Sequence, residues 1–147
     1  MDRRFARGIE SASGSAVEKA KAFGPFEVRG ELGRGALGVV YVAWEAEHDR
    51  TAAVKLFTSA PRDATAAIAR LRRDAQAAGA LGHPNIAAVL GVGDHEGQPW
   101  VATEFVPGVS LAQVLRSRAP MPIEHVLDVW RQLCEGLAHA HREGVFH

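Results

Sequence analysis

The sequence has a single cysteine, Cys134, so no disulfide can form within the chain. One thiol and no bridge suit a reducing compartment, and a cytoplasmic location is expected. There is no net charge either, because 17 Lys and Arg balance 17 Asp and Glu. That disfavours a nucleic-acid or membrane-surface binder driven by bulk electrostatics. No run approaches the roughly 18 apolar residues of a membrane span. The opening MDRRFARGIESASGSAVEKAKAFG is basic in places but lacks a continuous apolar core, so it does not read as a secretory signal. No Gly-x-Ser-x-Gly elbow is present. Cys134 and His141 fall seven positions apart on one predicted helix. Two ligands are fewer than the three or four that zinc requires, so no metal site is expected, and Cys134 reads as a buried, inert thiol.

What is present is ordinary for a globular chain: 147 residues, 47% hydrophobic and 23% charged. The informative stretch runs from Leu32 to Lys55, LGRGALGVVYVAWEAEHDRTAAVK. It opens with Gly33-x-Gly35-x-x-Gly38. Glycines let backbone N–H groups approach phosphates without Cβ clashes. A dinucleotide fingerprint with this spacing would open a helix. Here Val39 to Trp44 instead reads as a strand, His48-Asp49-Arg50 as a turn, and Thr51 to Phe57 as a second strand. The glycines therefore lie at the tip of a β-hairpin. Seventeen positions separate Gly38 from Lys55, enough for one strand, a turn and a return. A lysine there can place a point charge on phosphates under the loop. The plain alternative is a Gly-rich hairpin with a snorkelling lysine.

Residues 1–24 read as a flexible leader. Phe26 to Leu32 alternates and forms a first strand, completing a three-stranded meander. Pro61 and Asp63 suit a helix entry, and Ala64 to about Leu81 is Ala-rich with a stripe at Ile68, Leu71, Ala75 and Ala78. Asp74 borders that stripe, where an acid wants a partner, while Arg70, Arg72 and Arg73 read as solvated. Ala88 to Val92 and Pro99 to Val106 are two further strands, joined by a turn over Gly93 to Gly97. A short helix is predicted from Ser110, a candidate N-cap, to Ser117. A last helix spans Ile123 to about Glu143. Its stripe of Ile123, Val126, Leu127, Trp130, Leu133, Cys134, Leu137 and Ala138 needs a partner surface. Asp128 and Glu135 read as solvated.

Five strands, one helix after the third, then a break and more helices resemble the protein kinase family. Leu32-Gly33-x-Gly35-x-x-Gly38-x-Val40 is similar to its nucleotide loop. Ala53-Val54-Lys55 resembles its Ala-x-Lys strand, and His83-Pro84-Asn85-Ile86 the segment after its regulatory helix. Thr103-Glu104-Phe105-Val106 resembles the fifth strand and hinge, and the wording is nearest to bacterial Ser/Thr kinases. The resemblance implies an α+β, protein-kinase-like fold: a five-stranded antiparallel sheet with one helix, a hinge, and the first helices of a truncated helical lobe. It divides the chain into the leader, an ATP-binding N-lobe over residues 25–105, and a hinge with the start of a C-lobe over 106–147.

The same resemblance assigns roles. Leu32, Val40 and Ala53 would roof the adenine of ATP, beneath the loop glycines Gly33, Gly35 and Gly38. Lys55 would hold the α/β-phosphates and Thr103 would stand at the gatekeeper position. The Glu104 carbonyl and Val106 amide would bond the adenine edge, and Ser110 would reach the ribose. The helix acid that pairs with the lysine is usually Glu. Here it would be Asp74, nineteen positions after Lys55 and shorter in reach by roughly 1.5 Å. Leu37 departs from the aromatic, Met or small residue usual at the loop tip.

Val145-Phe146-His147 resembles the run into the catalytic loop, and the given sequence stops at that His. The catalytic Asp and the Mg²⁺-binding residues of the family are not in it. The expected function is therefore the ATP-binding portion of a Ser/Thr protein kinase, inactive alone, with Mg²⁺ and a protein substrate expected only in a full-length enzyme. Two alternatives stand beside it: a non-catalytic nucleotide- or protein-binding module, and a kinase-fold enzyme acting on small molecules. No nucleic-acid partner is expected. Self-association through the last helix is expected, since its stripe would lie exposed.

Overall fold

In a computed structural model, the described residues are 22–58, 69, 70, 73–75, 77, 79, 81–117 and 120–146. Six strands form one antiparallel sheet: β1 (Ala22–Phe23), β2 (Phe26–Gly35), β3 (Gly38–Glu45), β4 (Arg50–Phe57), β5 (Val89–His95) and β6 (Gln98–Glu104). Their order across the sheet is β1-β2-β3-β4-β6-β5. Residues 69, 70, 73–75, 77 and 79 are helical. Two helices follow the sheet, α1 (Leu111–Arg116) and α2 (Ile123–Arg142). Residues 1–21, the helix entry over 61–68, Leu71, Arg72, Ala78 and His147 lie outside the described residues.

The α+β architecture is as expected, with one correction. The sheet has six strands, because Ala22–Phe23 pairs with β2 through Ala22↔Glu27 and Phe23↔Phe26. Residues 22 and 23 therefore leave the expected leader and join the sheet. The reason is Phe23, whose side chain is fully buried. Burying a phenyl ring contributes about 1.5–3 kcal/mol, enough to anchor a two-residue strand. Its ring meets His95 edge-on at 5.2 Å, so β1 reaches β5 and the sheet curls towards closure.

The core lies inside that curl. Phe23, Phe26, Ala43, Ala52, Val54, Leu56, Trp100 and Ala102 are buried together. Period-two alternation puts Ala52, Val54 and Leu56 of β4 into this core. Ala53, Lys55 and Phe57 therefore point to the opposite face of the sheet. The β5–β6 hairpin turns through Glu96 and Gly97, both at positive φ, the combination of a two-residue primed turn. The Asp94 carboxylate accepts the Gly97 N–H at 3.2 Å.

The other end of the β3–β4 connection is a charged clasp. A one-turn 3₁₀ segment, Ala46–His48, leads to Asp49 in the left-handed region. Glu45 is buried there, with His48 Nδ1 at 3.1 Å and the Arg50 guanidinium donating to its other oxygen. The hydrogen bond from Arg50, above all, holds the Glu45 carboxyl below its ordinary value, and His48 adds to it.

Helix α1 is capped as expected, with Ser110 as N-cap. The cap is reciprocal: Ser110 Oγ accepts the Gln113 N–H, while Gln113 Oε1 accepts the Ser110 N–H. Helix α2 exposes its apolar stripe, including Ile123, Leu127, Trp130 and Leu133. Cys134 is exposed too, which corrects the expectation of a buried thiol. It shares the helix face that no described element covers.

Candidate functional site

The expected site residues assemble by strand register. Gly33 pairs with Val40, Val40 with Lys55, and Lys55 with Val101. One step along, Val42 pairs with Ala53 and Ala53 with Thr103. Val40, Ala53, Lys55 and Thr103 thus form a cluster on the face opposite the core. Each is half-buried. Leu32 sits in β2 between Glu31 and Gly33, where the β2–β3 register shifts, and is half exposed. The irregularity bends the strand at the root of the glycine loop.

The three loop glycines are not equivalent. A Cβ at Gly33 or Gly35 would meet nothing within 4 Å, so both face open space. A Cβ at Gly38 would stand 1.9 Å from the Leu56 carbonyl oxygen, and Gly38 has a φ of 147°. Gly38 is required by the close approach of β3 to β4. Gly33, paired with Val40, and Gly35 leave their backbone uncovered by side chains, a condition for close approach of a phosphate.

The edge of the cluster is the strand β6 exit. Glu104 N–H donates to the Ala88 carbonyl at 2.9 Å, fixing the chain just before Val106. Val106 is exposed beyond the sheet edge. Ser110 is placed nearby in sequence, but its hydroxyl is engaged with Gln113 on both sides. A ribose contact there would compete with the helix cap.

Lys55 and Asp74 are not brought together. The Asp74 carboxylate is exposed and lies 3.7 Å from Arg70 Nε, one helical turn away. The Lys55 ammonium sits instead over the Phe57 ring, 4.9 Å from its centroid. Sequence reasoning missed Phe57. The available signal was its position two residues after Lys55 on one strand, which puts both side chains on one face.

A second constellation was also missed. Asn85 Nδ2 donates to the Gln132 carbonyl and to Glu135 Oε2, each at 3.2 Å. His83 stacks on His139 at 5.0 Å. Gly136 is buried under this loop, so close that a Cβ there would come 3.3 Å from the Asn85 carbonyl oxygen. The His-Pro-Asn-Ile loop is thereby pinned to α2. Asp128 and Glu135 are exposed, as expected, and both pair with Arg131, at 2.6 and 2.8 Å. The Arg131 hydrogen bond, with a second from Gln132, lowers the Asp128 carboxyl below its usual range. Among the described residues no three His, Cys, Asp or Glu side chains converge as a metal-binding group.

This arrangement has known counterparts. The protein kinase domain model matches residues 26–147. The chain belongs to the protein kinase family. It is 33% identical over 118 residues to a probable serine/threonine-protein kinase PknB of Lactococcus lactis, covering 80% of this chain and 19% of that protein. It is 34% identical over 125 residues to the serine/threonine-protein kinase PknD of Mycobacterium tuberculosis, covering 85% of this chain and 19% of that one. The crystal structure of the M. tuberculosis PknI kinase domain superimposes with a TM-score of 0.78 at 28% identity, covering 90% of this chain and 53% of that chain. The chain thus spans about a fifth of the length of these curated relatives and about half of the solved kinase domain. What the comparisons show in common is the match over residues 26–147 and the fold of that part of a kinase domain.

Proposed function

We propose that the chain is the ATP-binding portion of a serine/threonine protein kinase, a transferase that in full length moves a phosphoryl group from ATP to protein hydroxyls. One observation carries this reading: Val40, Ala53, Lys55 and Thr103 share one half-buried face beneath two glycines whose Cβ positions are open. An adenine fits the apolar part of that face, under Leu32, Val40 and Ala53 and against Thr103. The Glu104 carbonyl and Val106 amide are the groups for its polar edge. The loop N–H groups and the Lys55 ammonium are what this chain offers the phosphates.

The non-catalytic module is the weaker reading, because the relatives are named as kinases throughout. No Mg²⁺ site is assigned to the described residues; a protein substrate and metal-assisted transfer belong to the full-length enzyme. No helix among the described residues is long and apolar enough to cross a membrane. Self-association through the exposed α2 stripe is part of the proposal for the chain by itself.

The test is titration calorimetry of purified 1–147 with a non-hydrolysable ATP analogue. Binding is expected for the unsubstituted chain and a large loss in Lys55→Met. Equal affinities for the two would remove Lys55 from the site.

A further inference from the structure

We propose that Phe57 is the positioning residue for Lys55, in the place that a helix carboxylate would otherwise take. The functional consequence rests on the ATP reading above; the geometry does not.

Lys55 and Phe57 are two residues apart in β4, so their side chains leave the same face of the sheet. The ammonium lies 4.9 Å from the ring centroid. That is inside the range of about 6 Å over which a ring face attracts a cation. The ring is itself held in place. Phe57 pairs with Gly38, and the absent Cβ of Gly38 would stand 3.0 Å from Phe57 Cα. The last glycine of the loop therefore seats directly on the backbone that carries the ring. Loop, ring and ammonium form one connected unit.

The carboxylate candidate is occupied elsewhere. Asp74 is exposed and paired with Arg70 on its own helical segment. Among the described residues Lys55 makes no ion pair. An aspartate also reaches roughly 1.5 Å less far than a glutamate.

The two kinds of support differ chemically. A carboxylate would take up one or two of the three ammonium N–H donors and offset the charge. A ring face holds the cation without accepting a conventional hydrogen bond, so the donors stay available to an anion. A lysine on a ring is therefore suited to meet phosphate oxygens with its charge uncompensated.

The experiment uses isotope-labelled 1–147, alone and with the ATP analogue. Without ligand, the Lys55 Hε resonances are expected upfield from ring current. The shift is expected to vanish in Phe57→Leu, to persist in Phe57→Tyr, and to change little in Asp74→Asn. Affinity for the analogue is expected to fall roughly two- to fivefold in Phe57→Leu, to recover in Phe57→Tyr, and to fall less in Asp74→Asn. Phe57→Met, apolar but without a π face, replaces Phe57→Leu if that variant loses the fold. Unshifted Hε signals in the unsubstituted chain overturn the proposal. So does an Asp74→Asn effect on Lys55 larger than that of Phe57→Leu. If the Hε signals behave as expected but the unsubstituted chain does not bind the analogue, the ring holds Lys55 and the ATP reading is what fails; if the chain binds and Phe57→Leu leaves its affinity unchanged, the positioning role is overturned.

Discussion

Replacing Gly38 with alanine separates the two jobs of the glycine loop. Its Cβ would lie 1.9 Å from the Leu56 carbonyl oxygen, where ordinary contact begins near 3.4 Å. Strands β3 and β4 would have to part by roughly 1.5 Å, the gap between those two distances. That would loosen the pairings Val39↔Leu56 and Val40↔Lys55 beside it. The φ of 147° adds strain for any residue with a side chain. Backbone strain of this kind costs about 1–3 kcal/mol. Overpacking costs about another 1–3 kcal/mol. Even the lower sum is a large fraction of the roughly 5–15 kcal/mol that holds a domain folded. With urea slopes of about 1–3 kcal/mol per molar, the unfolding midpoint falls by about 1 M or more. Gly35→Ala meets nothing within 4 Å, so its midpoint should stay within the ~0.5 kcal/mol band of surface changes. Its cost should appear in affinity for the ATP analogue, because a methyl there would obstruct close approach of a phosphate to the loop backbone. Urea titrations of the three chains, with calorimetry beside them, decide the matter. Equal midpoints for Gly38→Ala and the unsubstituted chain would refute the close-approach argument. A Gly35→Ala midpoint as low as that of Gly38→Ala would refute the division of labour.

Gly93→Ala should also destabilise, because its Cβ would come 2.4 Å from Cζ2 of the buried Trp100. A cost of about 1–3 kcal/mol is expected, seen as a thermal midpoint lower by about 2–12 °C; an unchanged midpoint would mean that the indole yields. Glu45 makes stability pH-dependent. Its folded-state pKa is lowered by Arg50 and then His48, so its contribution is present above the ordinary carboxylate range and is lost as pH falls through the folded value. Glu45→Gln should therefore flatten the fall of the urea midpoint as pH drops below the ordinary carboxylate range, and an equally steep profile in that variant would dismiss the clasp. Light scattering of 1–147 should show mass rising with concentration, and Trp130→Lys with Leu133→Lys should suppress it, since both side chains are exposed on α2. A monodisperse monomer at high concentration would count against self-association.

Much of this was legible because it depends on near neighbours in the chain. Alternation in β3 and β4, glycines at the hairpin tip, Ser110 before a short helix and the 3.6-residue stripe of α2 are local patterns, and each formed within a few residues of where it was read. Even the cluster of Val40, Ala53, Lys55 and Thr103 follows from strand period and order once antiparallel pairing is granted.

Tertiary structure decided the rest, because the deciding contacts join residues far apart in the chain. Phe23 looks like leader until Trp100 and His95 are placed around it. The loop glycines look alike until Leu56 comes within reach of one of them. Asp74 looks like the partner of Lys55 until each side chain is seen to have a nearer neighbour, Arg70 for one and Phe57 for the other. Short-range periodicity fixes which way a side chain points, so β2 to β6, α1, α2 and the face on which Val40, Ala53, Lys55 and Thr103 lie were readable from local pattern. Which side chains then meet across that face depends on register and strand curvature, which only the folded sheet supplies.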